Sequence, residues 1–127
     1  MIVVDASVLA VALGDDGADG SSARGAVADE VLAAPDLEVL SVWRRQVAFR
    51  KMTSRRAALA VSDLAALPLR RMSHRLVLQR CWELRRAVTV YDAANVALAE
   101  ALAIPLLTAD ARLSRTAGLR CEIKLVT

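Results

Sequence analysis

At 127 residues, 56% of them hydrophobic, the chain suits one compact domain, 1–127, with ample material for a core. Its only aromatics are Trp43, Trp82, Tyr91 and Phe49, so the platforms on which single-strand binders stack bases are sparse, and nucleic-acid contact must lean on charge. Cys81 and Cys121 make neither a disulfide framework nor a zinc pattern, which suits a reducing cytoplasm, and the apolar opening "MIVVDASVLAVAL" is broken by Asp5 and too short to span a bilayer.

In chain order, the β-branched run at 2–4 predicts a strand, 7–13 a short helix, "GDDGADGSS" (14–22) a loop between helices, and 21–30 a second helix started by two serines. Residues 31–34 predict a short strand closed by Pro35. Asp36 then reads as the N-cap of a helix along "LEVLSVWRRQVAF", apolar at 37, 40, 43 and 47. Thr53 caps the helix "SRRAALAVSDLAAL", 67–73 is strand-like, and "RLVLQRCWELRR" is helical. "YDAANVALAEALA" is a helix apolar over most of its circumference, and therefore buried. "PLLT" predicts a strand, "ARLSRTA" a short helix ended by Gly118, and "EIKLV" a last strand. Strands separated by helices of this length predict an α/β fold of three layers, with helices on both faces of a central, mostly parallel sheet.

Charge is unevenly laid out along this pattern. Residues 1–38 carry a net −7, 44–86 carry +10 and 87–127 balance, to give the overall +3. The middle section is rich in arginine, which suits bidentate contact with phosphate; a solvated helical surface is the plainer reading of the same residues.

The acids give a sharper signal. In an open parallel sheet, chemistry collects beyond the carboxyl ends of the strands. Asp5 and Asp110 follow two predicted strands, and Glu38 and Asp92 sit in the first turns of helices that open onto the same edge. Each acid alone has a structural explanation as a cap or as a charge complementing a helix dipole. Four on one edge would repel one another unless a cation compensated, and an all-oxygen cluster with no His or Cys nearby in sequence suits Mg²⁺ or Mn²⁺. His74, the only histidine, lies in a basic segment and reads as structural or surface.

"MIVVDASVL", "EVLSVWRR", "TVYDAANVALAEAL" and "LLTADARLSR" together resemble the PIN domain, and more narrowly the VapC-type toxin ribonucleases of bacterial toxin–antitoxin pairs. The resemblance runs from residue 1 to the last strand. It implies a single PIN-like nuclease domain, a Mg²⁺- or Mn²⁺-dependent endoribonuclease. Its acidic site would be Asp5, Glu38, Asp92 and Asp110, with Asp5, Asp92 and Asp110 on the metal and Ser7 and Thr108 as hydroxyl neighbours. It also implies a homodimer and an antitoxin protein (VapB-like) that covers an apolar groove and pushes an Arg or Lys into the carboxylates. Two positions depart from the family pattern. The connection leading to Glu38 is short, which makes Asp36 a rival for the second acid, and Asn95 stands where an aromatic is common, one helical turn after Asp92.

The expected chemistry is metal-assisted attack of water on a phosphodiester of tRNA, rRNA or mRNA, leaving a 5′-phosphate and a 3′-hydroxyl. Arg44, Arg45, Arg85 and Arg86 are candidates to guide the RNA backbone, and Arg112 to touch the scissile phosphate or an acidic neighbour. A catalytically silent module that binds RNA or an antitoxin without cleaving is the alternative. A response-regulator-like receiver also places acids at strand ends, but it pairs two acids near its first strand with a late lysine, and the only lysines here are Lys51 and Lys124.

Overall fold

The computed structural model describes residues 1–26, 31–33 and 36–126. Five strands, β1 (Ile2–Val4), β2 (Val31–Ala33), β3 (Arg70–Arg71), β4 (Leu106–Thr108) and β5 (Ile123–Leu125), form one sheet in the order β3-β2-β1-β4-β5, every pair parallel. Between them run α1 (Ala6–Gly14), α2 (Ala18–Ala26), α3 (Asp36–Ala48), α4 (Ser54–Ala66), a 3₁₀ turn (His74–Val77), α5 (Leu78–Glu83), α6 (Val90–Leu102) and α7 (Ala111–Ser114).

The period-2 alternation of the central strands divides the core. Val4 and Leu107 face one way, onto α1, α3 and α4 through Val8, Leu9, Val39, Trp43, Ala60 and Leu64. Val3 and Leu106 face the other, onto α5, α6 and α7 through Cys81, Leu84, Ala93, Val96 and Leu113. Both faces are thus covered, as a fully parallel sheet requires, and the three-layer α/β/α expectation is met. Helix α6 is buried along Ala93 and Asn95–Ala99, as its all-round apolar pattern demands.

Several boundaries differ from the sequence reading. The second helix begins at Ala18 rather than Ser21, inside the segment expected to be loop. A Cβ on Gly20 would fall 1.7 Å from the Asp15 carbonyl oxygen. The glycine there lets α2 cross the end of α1 at backbone contact instead of marking a loop. The expected extension of this helix to residue 30, and the closure of β2 at Ala34 and Pro35, lie outside the described residues. Asp36 is the first helical residue of α3 rather than its cap, and its carboxylate accepts a 2.6 Å hydrogen bond from Arg71 Nε on β3.

The strand expected over 67–73 is two residues long, pairing with β2 only through Arg70 and Arg71, and the Arg71 guanidinium is spent on the Leu64 and Leu67 carbonyls and on Asp36. The single helix expected over 75–86 divides into the 3₁₀ turn, capped by Ser73, and α5, which ends before Arg85. The helix after β4 stops at Ser114; Gly118, with φ of +87°, serves the turn towards β5. Thr53 caps α4 as expected, its hydroxyl accepting from Arg56 N.

Candidate active site

Strand order reverses at the centre of the sheet: β2 and β3 lie to one side of β1, β4 and β5 to the other. The crevice at the carboxyl ends of β1 and β4 is therefore the topological switch point, the place where open parallel sheets collect ligands. Asp5 leaves β1 there and Thr108 ends β4 there.

Asp5 is 4% exposed, and its carboxylate is tied into a hydroxyl network. Oδ1 accepts from Ser7 Oγ at 2.5 Å and from Val8 N at 3.3 Å, which caps α1, while Oδ2 accepts from the Thr108 hydroxyl. Ser7 Oγ in turn accepts from Ala109 N at 3.0 Å, and Thr108 Oγ1 from Asp110 N at 3.0 Å. One capping interaction thus sews the end of β4 onto the start of α1. Burial pushes the Asp5 carboxyl up; the bonds from Ser7, Thr108 and Val8 pull it down, and the charge of Asp92 adds to the rise.

Asp92 lies in the first turn of α6, whose cap Thr89 accepts from Asp92 N at 3.2 Å. Its pKa is raised by burial and by Asp110, against the opposing hydrogen bond with Thr89. Glu38 is half-buried in the first turn of α3, and its pKa is raised by burial, then by Asp92 and Asp5. The charge of Asp92 thus bears on both Asp5 and Glu38, and that of Asp5 on Glu38, carboxylates that come from separate elements.

Asp110 behaves differently. It caps α7 by accepting from Arg112 N at 2.9 Å, and the Arg112 side chain grips both its oxygens: Nε at 3.1 and 3.2 Å, Nη2 at 2.8 Å. That guanidinium holds the Asp110 carboxyl below its ordinary range.

The edge opens into two hollows. A cleft of about 440 Å³ is lined by Asp92, Asp110, Arg85, Arg86, Arg112 and Thr116 among others. A groove of about 510 Å³, mostly apolar, carries Glu38 beside Leu37, Met72, Leu78, Val90 and Tyr91, with His74 at its wall. The structure therefore brings Arg85, Arg86 and Arg112 to the acids. Arg45 is near enough to Glu38 to lower its pKa, whereas Arg44 is simply exposed on α3.

Sequence reasoning left one feature open and missed another. It left open whether Arg112 meets phosphate or acid, and the structure pairs it with Asp110. It placed Asn95 beside the site without seeing that the amide is 1% exposed, with neither side-chain polar atom hydrogen-bonded among the described residues.

A divalent cation suits this chemistry in part. The donors are all oxygen, three acids are held above their ordinary pKa, and Glu38 Oε2 is buried with no hydrogen-bond partner among the described residues. No three His, Cys, Asp or Glu side chains among the described residues stand close enough to form a ready-made ligand set. Asp110 is engaged by Arg112.

Comparison with known proteins gives the family. The family model described as "PIN domain" matches residues 2–119. The chain belongs to the PIN-domain family. Within that family it is similar to VapC proteins, among them two of Mycobacterium tuberculosis: Ribonuclease VapC1 at 43% identity, over 98% of this chain and 96% of the relative, and Ribonuclease VapC12 at 37%, over 99% of each. Among solved PIN-type structures, the sarcin-ricin loop cleaving toxin VapC20 of the same organism superposes with a TM-score of 0.67 over 94% of this chain and 97% of its own; at 19% identity that likeness speaks for the fold. No helix among the described residues is long and apolar enough to cross a membrane.

Proposed function

We propose that this PIN domain is a VapC-type endoribonuclease, the toxin of a toxin–antitoxin pair, hydrolysing RNA phosphodiester bonds through a Mg²⁺ or Mn²⁺ site. The observation that supports the reading best is the arginine-lined cleft that carries Asp92 and Asp110 at the carboxyl edge of the sheet, with Asp5 buried at the switch point and Glu38 Oε2 buried without a partner among the described residues. The VapC relatives point the same way. Bound among these oxygens, the ion would supply Lewis-acid activation of the attacking water and neutralise charge on the leaving oxygen.

The chain's own residues do the rest. Asp5, Asp92 and Asp110 offer ligand oxygens, and Glu38, with its unpartnered Oε2, completes the acidic set. Ser7 and Thr108 fix the rotamer of Asp5 through their hydroxyls, so this ligand is presented without reorganisation. Arg85 and Arg86, which line the cleft, hold the RNA backbone by phosphate contacts, with Arg44 and Arg45 on α3 as outlying ones. Asp36, engaged by Arg71, stands aside from the acidic set.

The partners that accompany this reading are an RNA (tRNA, rRNA or mRNA), a VapB-like antitoxin and a second copy of the chain. The exposed Leu37, Leu78, Val90 and Tyr91 around the apolar groove offer the surface that a protein partner would cover. Free Cys81 and Cys121 accord with a cytoplasmic setting.

The test is Mn²⁺-dependent cleavage of total RNA by the purified chain. Asp92→Asn should abolish cleavage while folding and antitoxin pairing persist. Glu38→Gln should lose activity and Asp36→Asn keep most of it. Full activity in Asp92→Asn would remove the assignment, and the reverse ranking of Glu38 and Asp36 would move the second acid.

A further inference from the structure

One cation already sits on Asp110. Arg112 contributes three side-chain hydrogen bonds to Asp110, occupying both carboxylate oxygens, while its own backbone N–H takes Oδ1 as well. An ion approaching Asp110 therefore meets a positive guanidinium on both oxygens, where Asp5 presents only neutral donors. The grip is shallow, since the Arg112 side chain is 83% exposed, and exposed pairs contribute little net stability. Arg112 also lies in the same cleft as Arg85 and Arg86, so a guanidinium leaving Asp110 stays where a phosphodiester backbone would run.

We propose that Arg112 is an exchangeable internal cation and a positioning residue: it neutralises Asp110 in the metal-free protein, yields that carboxylate to the divalent ion, and turns to an RNA phosphate when it does so. This rests on the nuclease reading of the same site. It couples two events, since metal entry frees a phosphate-binding arginine and phosphate capture keeps Asp110 open for metal. Asp110 keeps its backbone cap on α7 throughout, because that bond comes from Arg112 N and not from the side chain.

The experiment uses the full chain and the variants R112Q and R112K. Both retain the capping N–H, and both should show wild-type circular dichroism. Mn²⁺ affinity is measured by calorimetry at pH 7.5, binding of a single-stranded RNA in EDTA, and KM for cleavage in saturating Mn²⁺. R112Q should bind Mn²⁺ about two- to five-fold more tightly than wild type, the range expected for releasing an exposed ion pair. It should bind RNA in EDTA like wild type, and show a raised KM in Mn²⁺. R112K, which cannot hold both oxygens in a planar fork, should also gain Mn²⁺ affinity but keep KM nearer the wild-type value.

Unchanged or weaker Mn²⁺ binding in R112Q would overturn the exchange and leave the nuclease reading standing. So would an RNA affinity in EDTA that falls as much as KM rises, since Arg112 would then be on phosphate from the start. Tighter Mn²⁺ binding by R112Q, with no cleavage by the wild type, would support the exchange at Asp110 while removing the nuclease reading. No Mn²⁺ binding by either protein would overturn both.

Discussion

Two side chains at the site carry an energetic cost that the rest of the fold must offset. Glu38 Oε2 is buried without a partner among the described residues, and burial, then Asp92 and Asp5, raise its pKa. A group held above its unfolded pKa contributes stability that is fully present below the unfolded value and lost as pH rises through the folded one. In EDTA the wild type should therefore lose stability as pH climbs through and past the ordinary carboxylate range.

Glu38→Gln should melt higher than wild type at pH 7.5, with the gain shrinking towards pH 4. The amide removes the buried negative charge beside Asp92 and Asp5, and the opposing loss of a first-turn charge at the helix dipole is only about 0.3–1 kcal/mol. Millimolar Mn²⁺ should raise the wild-type melting temperature more than the mutant's; thermal melts with and without metal decide it. Asn95 is the second case. With both amide atoms buried and unpaired among the described residues, Asn95→Leu removes polar groups for nearly the same shape and should stabilise by about 1–3 kcal/mol. A denaturant midpoint that falls instead would show that the amide is satisfied in solution.

At the level of elements, α1 is the piece on which the site depends, since its N-terminus carries Asp5 and Ser7. Its other end is held from three directions. Arg24 Nη1 donates to the Ala12 and Asp15 carbonyls, Arg56 Nη2 donates to the Leu13 carbonyl, and the buried Trp43 Nε1 donates to the Ala10 carbonyl at 3.1 Å. The last turn has no room to spare. A Cβ on Gly14 would sit 2.7 Å from Trp43 Nε1 and 3.3 Å from Met52 Cε. Gly14→Ala should therefore destabilise by about 1–3 kcal/mol despite the better helix propensity of alanine, because the indole must move and its hydrogen bond must lengthen. Gly14→Ala together with Trp43→Phe should recover part of the loss, read as a double-mutant cycle in urea.

Across the whole molecule, the +10 charge of residues 44–86 is not spread evenly over the surface. Arg56, Arg71 and Arg80 are committed to Asp16, Asp36 and Glu100, so they hold the fold rather than face a ligand. Arg85 and Arg86 line the cleft with Asp92 and Asp110. If they neutralise RNA phosphates, log affinity should fall with log salt at about −0.7 per phosphate, and Arg85→Ala with Arg86→Ala should flatten the slope by about one or two. The double change Arg44→Ala with Arg45→Ala, further from the cleft, should flatten it less. An unchanged slope in the first pair would return Arg85 and Arg86 to a solvated surface. Filter-binding titrations at several salt concentrations measure both.

Much of this was legible before any fold was known, because it follows from local chemistry. Strand β1, the apolar helix α6, the Thr53 cap and the placing of Asp5, Glu38, Asp92 and Asp110 at element ends rest on periodicity and on which residues follow a strand, and those signals lie within a few neighbours along the chain. The early start of α2 was hidden because Gly20 answers to the Asp15 backbone beneath it, a contact between helices that composition reads as a turn. Asp36 looked like a cap until Arg71 met it from the neighbouring strand. The same limit applies at the site. Sequence set four acids along one edge, but only the packed molecule decided that Arg112 holds Asp110, that hydroxyls from β4 and α1 hold Asp5, and that Asn95 is buried without partners among the described residues. Pairing, burial and desolvation depend on residues far apart in the chain, and no pattern of neighbours in sequence encodes which of them meet.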